Sequence, residues 1–426
     1  MNDSFTFNRG PLRGEVTVPG DKSISHRALI VGAALREPMR IENLNGGSDV
    51  AATVDALTAL GARIEVQDTS ALIHPNELHD ASQTLNCRNS GSTARMVLGV
   101  CAGANLRATL DGDASLRRRP MEPIAAQLRA FGAQIQTDEG LLPMTIEGTP
   151  VIQTRNFILL SPSAQIKAAL LFAGLFSRTA ISIVNDAGSR DHTERLLQSL
   201  GAKIRYDGRN VDLQPSDLKA APVTIPGDFS SAAFFIVGAT IVAGSEITLR
   251  NVGMNPTRTG LLDALRAMGA AITVSNERRW NDEPVADITV VARRLSGASI
   301  GSNIAARAID EIPVLAVAAA CAQGITRIAG LRRLREKETD RLALIGRMLN
   351  AVGVDAEIGA DDIQITGAGA TASAPQAQIA TDGDHRIAMA AAPLGAVWGP
   401  LTIDDAEAPA VSFPDFTRTW LTVQSR

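Results

Sequence analysis

Five stretches of the chain carry apolar residues at helical spacing, and each ends at a glycine that is followed by alternating apolar and polar residues. Ala62 to Val66, for example, alternates directly after a helical stretch. Glycine ends helices because it readily adopts the left-handed conformation found there, and strict alternation is typical of a strand. The sequence therefore predicts five helix-to-strand junctions, at Gly61, Gly132, Gly201, Gly269 and Gly353.

These junctions recur about every 70 residues, with a longer last interval, which indicates a repeated α/β structure. In 426 residues this period predicts six repeats, one more than the visible junctions. We assign the missing repeat to the two ends of the chain, residues 379–426 together with roughly the first 19. The alternative is an unrelated recurrence of Leu-Gly-Ala, a common turn in α/β proteins, and the regular spacing argues against it.

Two Pro-Gly-Asp turns divide the repeats into two domains. V-P-G-D-K-S begins at Val18 and I-P-G-D-F-S begins at Ile225. We interpret them as two crossings of the chain between the same pair of domains, one of residues 20–227 and the other of residues 1–19 plus 228–426, with three repeats each. A double crossing predicts an active site in the cleft between the domains.

The residues after the first of these turns have the composition of an anion site. G-D-K-S-I-S-H-R opens an apolar helical pattern, with Lys22, Ser23 and Arg27 at its start. A helix N-terminus offers unpaired N–H groups to an anion, and residues four apart share one helix face. The alternative is that Asp21 or Ser23 only caps the helix and that both cations are solvated. The spacing differs from that of a Walker phosphate loop.

Further helix starts carry similar cationic and hydroxyl residues. If the repeats are arranged alike, these starts converge, and together they suit a substrate that bears phosphate and carboxylate groups. In one of them Lys337 and Arg341 are expected on one helical face beside Glu338, although such a charge run is also typical of a solvated helix. The segments are Arg88 to Arg95, Leu110 to Met121, Ser161 to Lys167, Arg332 to Arg341 and Asp382 to Met389.

Two carboxylates lie among these cations. Asp310 and Glu311 stand just before a strongly apolar helical stretch, so a carboxylate there is either an N-cap or a group whose basicity is raised for proton transfer. Asp310 and Glu338 together supply a candidate base and acid.

Composition narrows the class of function. Apolar residues make up 45% of the chain, aromatic residues only 4%, and the net charge is −4, which argues against a general nucleic-acid or membrane-surface binder. The three cysteines are widely spaced, the N-terminus lacks the apolar core of a signal peptide, and the longest apolar run is too short to span a bilayer, so we expect a cytoplasmic protein. The sequence has no Ser-His-Asp order, metal cluster or G-x-G-x-x-G.

Eight motifs in order resemble the family of 3-phosphoshikimate 1-carboxyvinyltransferase, or EPSP synthase, over essentially the whole chain. The resemblance implies a two-domain inverse α/β fold of six repeats and a transferase of aromatic amino-acid biosynthesis, in the shikimate pathway. It implies phosphoenolpyruvate and shikimate 3-phosphate as substrates, no metal or organic cofactor, a monomer, and inhibition by glyphosate. The motifs are P-G-D-K-S-I-S-H-R-A, R-N-S-G-S-T-A-R, L-D-G-D-A-S-L-R-R-R-P, S-A-Q-I-K, P-G-D-F-S-S-A, I-D-E-I-P, R-E-K-E-T-D-R and D-G-D-H-R-I-A-M.

The resemblance also implies roles for individual residues. Lys22, Asp310 and Glu338 match catalytic positions, with Asp310 as the base toward the 5-hydroxyl and Glu338 as the acid toward the methylene carbon. The shikimate 3-phosphate positions are Lys22, Ser23, Arg27, Ser163, Gln165, Ser189, Asp310 and Lys337. The phosphoenolpyruvate positions are Lys22, Asn89, Gly91, Arg119, Gln165, Arg341, His385 and Arg386.

The chain departs from the family pattern at three places, and two other functions stay open. Arg333 stands where asparagine is common, His192 lies where a tyrosine contact is expected, and Val411 replaces a lysine that some members carry. The related UDP-N-acetylglucosamine carboxyvinyltransferases begin their lysine motif with K-N, unlike Lys22-Ser23, and typically carry a reactive cysteine where Leu116 to Pro120 stands. A non-catalytic anion-binding repeat protein would need neither Asp310 nor Glu338.

Overall fold

The computed structural model describes residues 4–369 and 377–424. Two 3-10 helices, Arg332–Glu336 and Ala408–Val411, accompany the regular elements. The strands are β1 (Phe5–Phe7), β2 (Arg13–Thr17), β3 (Met39–Glu42), β4 (Arg63–Gln67), β5 (Ser70–His74), β6 (Leu85–Asn86), β7 (Arg107–Asp111), β8 (Gln134–Asp138), β9 (Leu141–Glu147), β10 (Asn156–Ile158), β11 (Ile181–Val184), β12 (Lys203–Tyr206), β13 (Val211–Gln214), β14 (Val223–Thr224), β15 (Glu246–Gly253), β16 (Ala271–Trp280), β17 (Glu283–Val291), β18 (Ser299–Ile300), β19 (Gln323–Ala329), β20 (Ala356–Ile358), β21 (Asp362–Ala368), β22 (Ala377–Ile379) and β23 (Leu401–Ile403). The α-helices are α1 (Lys22–Ala33), α2 (Ser48–Ala59), α3 (Gly91–Ala104), α4 (Ala114–Arg117), α5 (Glu122–Phe131), α6 (Ala164–Ser177), α7 (His192–Ser199), α8 (Phe229–Ile241), α9 (Gly260–Ala267), α10 (Ser302–Arg307), α11 (Ile312–Ala320), α12 (Arg341–Ala351), α13 (His385–Trp398) and α14 (Phe416–Gln424).

The chain divides into two compact units. The central unit comprises Gly20–Pro226 and Arg279–Glu283, and the terminal unit comprises Met1–Pro19, Gly227–Arg278 and Pro284–Arg426. Each unit has its own apolar core, built mainly from Ala, Leu, Ile and Val side chains. The tip of the β16–β17 hairpin belongs to the central unit although its two strands lie in the terminal unit.

Within the described residues, the strands form six sheets, three in each unit, as six repeats require. In a typical repeat a first strand pairs in parallel with a second, and an antiparallel hairpin completes the sheet, as in the order β6-β7-β9-β8. Helices join the parallel strands, since a parallel pair needs a crossover connection. The predicted mixed α/β fold of six similar repeats is therefore confirmed.

Strands that are distant in the chain complete three of the sheets. β14 pairs in parallel with β3, β2 pairs in parallel with β15, and β1 pairs antiparallel with β23. Of the first 19 residues, only β1 therefore joins the sheet formed by the C-terminal strands. The prediction that placed all of them in the split repeat was wrong for β2, because a strand at a crossing pairs with the repeat that follows the other crossing.

The five predicted helix-to-strand junctions are confirmed. Each glycine follows a helix (α2, α5, α7, α9 or α12) and stands two or three positions before the first residue of the next strand. Their φ angles lie between +77° and +129°, the region that favours glycine.

The two Pro-Gly-Asp turns have matching hydrogen bonds. In the central unit, the Asp21 N–H donates to the Pro226 carbonyl at 2.8 Å, and in the terminal unit the Asp228 N–H donates to the Pro19 carbonyl at 2.8 Å. Asp21 also caps α1 by accepting from the Ile24 N–H, and Asp228 caps α8 by accepting from the Ser230 N–H. Each aspartate thus fixes the start of a helix to a turn.

Gly20 has no room for a side chain at its turn, because a Cβ there would lie 1.7 Å from the Asn43 carbonyl oxygen. We expect Gly20→Ala to lower the free energy of unfolding by on the order of 3 kcal/mol, measured by urea denaturation. Gly46→Ala is the matched control, since a Cβ at Gly46 meets nothing within 4 Å. Equal stability of the two variants would contradict this account of the turn.

Candidate active site

The first two turns of α1 hold three of the predicted site residues. The Lys22 ammonium lies 2.6 Å from Asp49 Oδ2, and both side chains are largely buried. Arg27 donates through Nε to Thr193 Oγ1 at 2.8 Å and through a terminal nitrogen to the Ser23 carbonyl at 2.7 Å. Burial lowers the pKa of Arg27 to about 10, so the guanidinium stays charged at neutral pH. The cations are thus fixed in place and are not solvated side chains.

His26, in the same motif, serves the core. Its Nδ1 lies 2.7 Å from Thr53 Oγ1, which in turn lies 2.7 Å from Thr93 Oγ1. Burial, and then the charges of Lys22 and Arg27, place the pKa of His26 well below its usual value. A neutral imidazole in this hydroxyl chain links α1, α2 and α3 and adds no positive charge to the site.

Close packing of α3 against α6 brings a second group of site residues together. Cβ atoms at Gly99 and Gly103 would lie 2.2 Å and 2.3 Å from the Ala169 and Ala173 carbonyl oxygens, so only glycine permits this approach. The two pairs run in the same direction along both helices, which are therefore parallel, with their first turns side by side.

Gln165 is held at these first turns. Its side-chain oxygen accepts from Arg95 at 3.1 Å, and its nitrogen donates to Ser92 Oγ at 3.0 Å. Gly91 is the first residue of α3, and a Cβ there would lie 2.6 Å from an Arg95 nitrogen and 3.3 Å from an Arg119 nitrogen. Two guanidinium groups therefore border the same short stretch of backbone.

Arg119, Asn89 and Ser115 form a hydrogen-bonded group beside Gly91. Arg119 is buried and donates to the Asn89 carbonyl at 3.1 Å, to the Asn89 side-chain oxygen and to Ser115 Oγ. Asn89 in turn donates to Asp113 Oδ2 at 2.6 Å. Of the three consecutive arginines here, Arg117 and Arg118 are exposed and only Arg119 is buried.

Ser163 and Ser189 meet at one buried carboxylate. Asp186 Oδ1 accepts from the Ser163 N–H at 3.1 Å, and Asp186 Oδ2 accepts from the Ser189 hydroxyl. Ser163 also caps α6, since its Oγ accepts from the Ile166 N–H. The two serines predicted on the shikimate 3-phosphate side are thereby set in one cluster with the start of α6.

In the terminal unit, Asp310 lies among three cations. Its Oδ1 is 3.2 Å from the Lys337 ammonium and 3.8 Å from an Arg341 nitrogen, and its Oδ2 is 3.9 Å from an Arg386 nitrogen. Arg386 also donates to the Asp310 carbonyl at 3.1 Å. The N-cap position of α11 belongs to Glu311, so Asp310 is not the cap of that helix.

Asp384 organises the same group from the other side. It caps α13 by accepting from the Arg386 N–H, and it accepts from Arg341 Nε at 2.9 Å. Arg341 also pairs with Glu338. Burial alone would lower the pKa of Arg341, but the carboxylates of Asp384, Glu338 and Asp310 raise it above its usual value. His385 is buried in the first turn of the same helix.

Lys337 and Arg341 do not share a helical face, so that prediction was wrong. Lys337 follows the 3-10 helix in an extended conformation, and α12 begins only at Arg341, capped by Asp340. The break lets both cations reach Asp310 from different directions.

The three departures from the family pattern lie in different environments. Arg333 is exposed, Val411 is half-buried at the end of a 3-10 helix, and His192 is buried with Nδ1 2.7 Å from Glu283 Oε1. His192 therefore packs inside the central unit.

Sequence reasoning missed several residues that position the site. Arg95 and Asp384 lie inside the quoted motifs, so their place beside Gly91 and Arg341 could have been considered. Asp49 lies outside every motif and is recognised only from its contact with Lys22. Arg190 was also missed, although its charge acts on Arg27.

Two absences apply to residues 4–369 and 377–424. No helix there is long and apolar enough to cross a membrane, and no group of three or more His, Cys, Asp or Glu side chains is arranged to hold a metal ion.

Known proteins share both the fold and the sequence. The EPSP synthase of Acinetobacter baumannii superposes with a TM-score of 0.88 at 37% identity, covering 99% of this chain and 98% of that one. The chain thus has the two-domain inside-out α/β fold of a carboxyvinyltransferase. A family model for EPSP synthase (3-phosphoshikimate 1-carboxyvinyltransferase) matches residues 8–420, and the chain belongs to this family.

Relatives of the same name cover nearly the whole chain. The 3-phosphoshikimate 1-carboxyvinyltransferase of Anaeromyxobacter sp. (strain Fw109-5) is 44% identical and covers 98% of this chain and 97% of its own. That of Legionella pneumophila (strain Paris) is 41% identical and covers 96% of this chain and 95% of its own. The resemblance found in the motifs is confirmed.

The negative charge of Asp384 should be needed to keep the buried Arg341 stable in the folded protein. Asp384→Asn keeps the shape and a possible cap but removes a counter-ion of the fully buried Arg341. We expect the free energy of unfolding to fall by about 3–5 kcal/mol, measured by urea denaturation.

Asp382→Asn is the matched control, because Asp382 pairs with Arg347 at the surface. It should change stability by less than about 1 kcal/mol. A similar small effect in both variants would show that Arg341 does not depend on Asp384.

Proposed function

We propose that this protein transfers the enolpyruvyl group of phosphoenolpyruvate to the 5-hydroxyl of shikimate 3-phosphate and releases phosphate. The observation that carries the proposal is the position of Asp310, a carboxylate within 4 Å of three cationic side chains. Such a carboxylate can accept a proton while the cations hold anionic substrates. Membership of the EPSP synthase family supports the same reaction.

Residues of both clusters are proposed to bind the two substrates. On the shikimate 3-phosphate side we place the α1 and α6 starts with Ser189, together with Asp310 and Lys337. On the phosphoenolpyruvate side we place the group around Gly91 and Arg119, together with Arg341, His385 and Arg386. Lys22 and Gln165 serve both ligands. The fixed guanidinium groups support this division, since each is oriented before an anion arrives.

The reaction has an addition step and an elimination step, and each step transfers two protons. In the addition step, the substrate 5-oxygen bonds to C2 of phosphoenolpyruvate, its proton passes to Asp310, and Glu338 donates a proton to the methylene carbon. The result is a tetrahedral intermediate that still carries phosphate. In the elimination step, the methyl group returns a proton to Glu338, the C2–O bond to phosphate breaks, the enolpyruvyl double bond forms, and the proton held by Asp310 leaves with the phosphate. Lys22 and the arginines stabilise the negative charge that moves onto phosphate.

The proposal is tested by supplying phosphoenolpyruvate with each possible acceptor. Phosphate should be released with shikimate 3-phosphate and not with UDP-N-acetylglucosamine. Release only with the UDP-sugar would favour the related carboxyvinyltransferase, and release with neither would favour a non-catalytic anion-binding protein.

Asp310→Asn should separate binding from turnover. The amide keeps the shape of the carboxylate but cannot accept the proton, so we expect turnover to fall about 100-fold or more while the affinity for shikimate 3-phosphate stays within roughly tenfold. Asp340→Asn, a nearby aspartate that caps α12, is the control and should keep its turnover. Near-normal turnover of a folded Asp310→Asn protein would contradict the assignment.

Gly91→Ala should discriminate between substrate and inhibitor. We propose that glyphosate competes with phosphoenolpyruvate here, and a methyl group at Gly91 would displace the Arg95 guanidinium and crowd Arg119. The inhibition constant of glyphosate should rise about tenfold more than the KM of phosphoenolpyruvate. In Gly301→Ala, where a Cβ meets nothing within 4 Å, both constants should stay unchanged. Equal losses in Gly91→Ala would place Gly91 outside a shared pocket.

We also propose that the protein acts in the cytoplasm as a monomer and without nucleic acid. The net charge of −4 supports the last point, because nucleic acid attracts basic surfaces. Light scattering after gel filtration measures the oligomeric state, and a dimer mass would contradict the proposal.

A further inference from the structure

A buried lysine in the central unit contacts the carboxylate that accepts hydrogen bonds from Ser163 and Ser189. Lys167 is on α6, and its side chain is only 3% exposed. Its ammonium lies 2.8 Å from Asp186 Oδ2 and 2.6 Å from Glu194 Oε1. The lysine ends the S-A-Q-I-K motif, yet none of the roles assigned above uses it.

Both carboxylates of this triad connect to residues assigned to shikimate 3-phosphate. Asp186 accepts hydrogen bonds from the Ser163 N–H and from the Ser189 hydroxyl. Glu194 follows Thr193, whose hydroxyl accepts from Arg27 Nε at 2.8 Å. One ammonium thus joins α6, the loop before α7 and the first turn of α7. Ser163 and Ser189 lie at the start of α6 and in that loop, and Arg27 of α1 contacts Thr193 in the first turn of α7.

The triad of Lys167, Asp186 and Glu194 is better explained by the positions it gives to neighbouring side chains than by a gain in stability. Three buried charges rarely stabilise a fold better than apolar side chains of similar size would, and the rest of α6 is strongly apolar. Burial raises the pKa of Glu194, whereas the Lys167 charge opposes that rise. The Lys167 ammonium lies between the Asp186 and Glu194 carboxylates, at 2.8 Å and 2.6 Å, and so fixes the carboxylate that accepts from Ser163 and Ser189.

We infer that Lys167 is a positioning residue for shikimate 3-phosphate, which acts through Asp186 and Glu194 to hold Ser163, Ser189 and Arg27 in their binding geometry. The inference rests on the proposed function, because it assumes that these three residues contact that substrate. It assigns Lys167 no contact with substrate and no proton transfer. Its loss should therefore affect the binding of one substrate and spare the chemical step.

Lys167→Met tests this role, since methionine keeps most of the length of the side chain and removes the charged ammonium. We expect the dissociation constant of shikimate 3-phosphate, measured by calorimetry, and its KM to rise about tenfold or more, as when an outer-shell partner is lost. With saturating shikimate 3-phosphate, kcat and the KM of phosphoenolpyruvate should change less than about threefold. A lysine that only stabilises the fold would lower the melting temperature without this selective change.

Arg195→Met is the matched control on α7. It removes a largely buried cation, next to Glu194 in the chain, that pairs with Asp191 at 2.8 Å. The affinity of this variant for shikimate 3-phosphate should stay within about threefold of the original. An equal loss in both variants would mean that general damage to α7 explains the effect, and would overturn the inference.

Glu194→Gln covers the case in which Lys167→Met does not fold. It keeps the Lys167–Asp186 pair and removes one charge, so the KM of shikimate 3-phosphate should rise selectively, by a smaller factor. Unchanged affinity in a folded variant would overturn the positioning role. Failure of the unmodified protein to bind shikimate 3-phosphate would instead refute the proposed function, so the two failures can be told apart.

Discussion

The proposed site depends on cationic side chains that are held at helix N-termini, where the helix dipole is already positive. Lys22, Arg341 and Arg386 occupy the first turns of α1, α12 and α13, close to the positive ends of the helix dipoles. Cations in such positions destabilise a helix unless a nearby anion neutralises them. Buried carboxylates supply part of the neutralising charge: Asp49 pairs with Lys22, Asp384 with Arg341 and Asp310 with Arg386. In the function proposed above, the anionic substrates would supply the remainder.

The repeated fold explains how so many helix starts become available. Each repeat presents the N-termini of its helices, and close contacts at Gly99 and Gly103 set two of them side by side. The Pro-Gly-Asp turns fix α1 and α8 to the two chain crossings through matched hydrogen bonds. The same backbone geometry is used repeatedly, while the residues at each helix start differ and divide the chemistry among them.

The sequence predicted what local chemistry determines. Glycine ends a helix wherever it occurs in the right pattern, so the junctions and the six repeats could be recognised, and the motifs identified the family. The break between Lys337 and Arg341 was missed because the charge run was read as one helix, although Thr339 and Asp340 favour helix starts over helix interiors and Asp340 caps α12. The pairing of β2 with β15 and the buried contacts of Lys167 join residues that are distant in the chain or appear as plain core positions. Only the folded structure brings them together.

The central claim is that clusters in two separate units bind one substrate. Hydrogen exchange followed by mass spectrometry tests it with shikimate 3-phosphate as the only ligand. The account predicts slower exchange both in central-unit peptides that span residues 163–194 and in terminal-unit peptides that span residues 332–341, with β15 unchanged as an internal control. Protection confined to one unit would contradict the claim, because the other cluster would then have no part in binding this substrate.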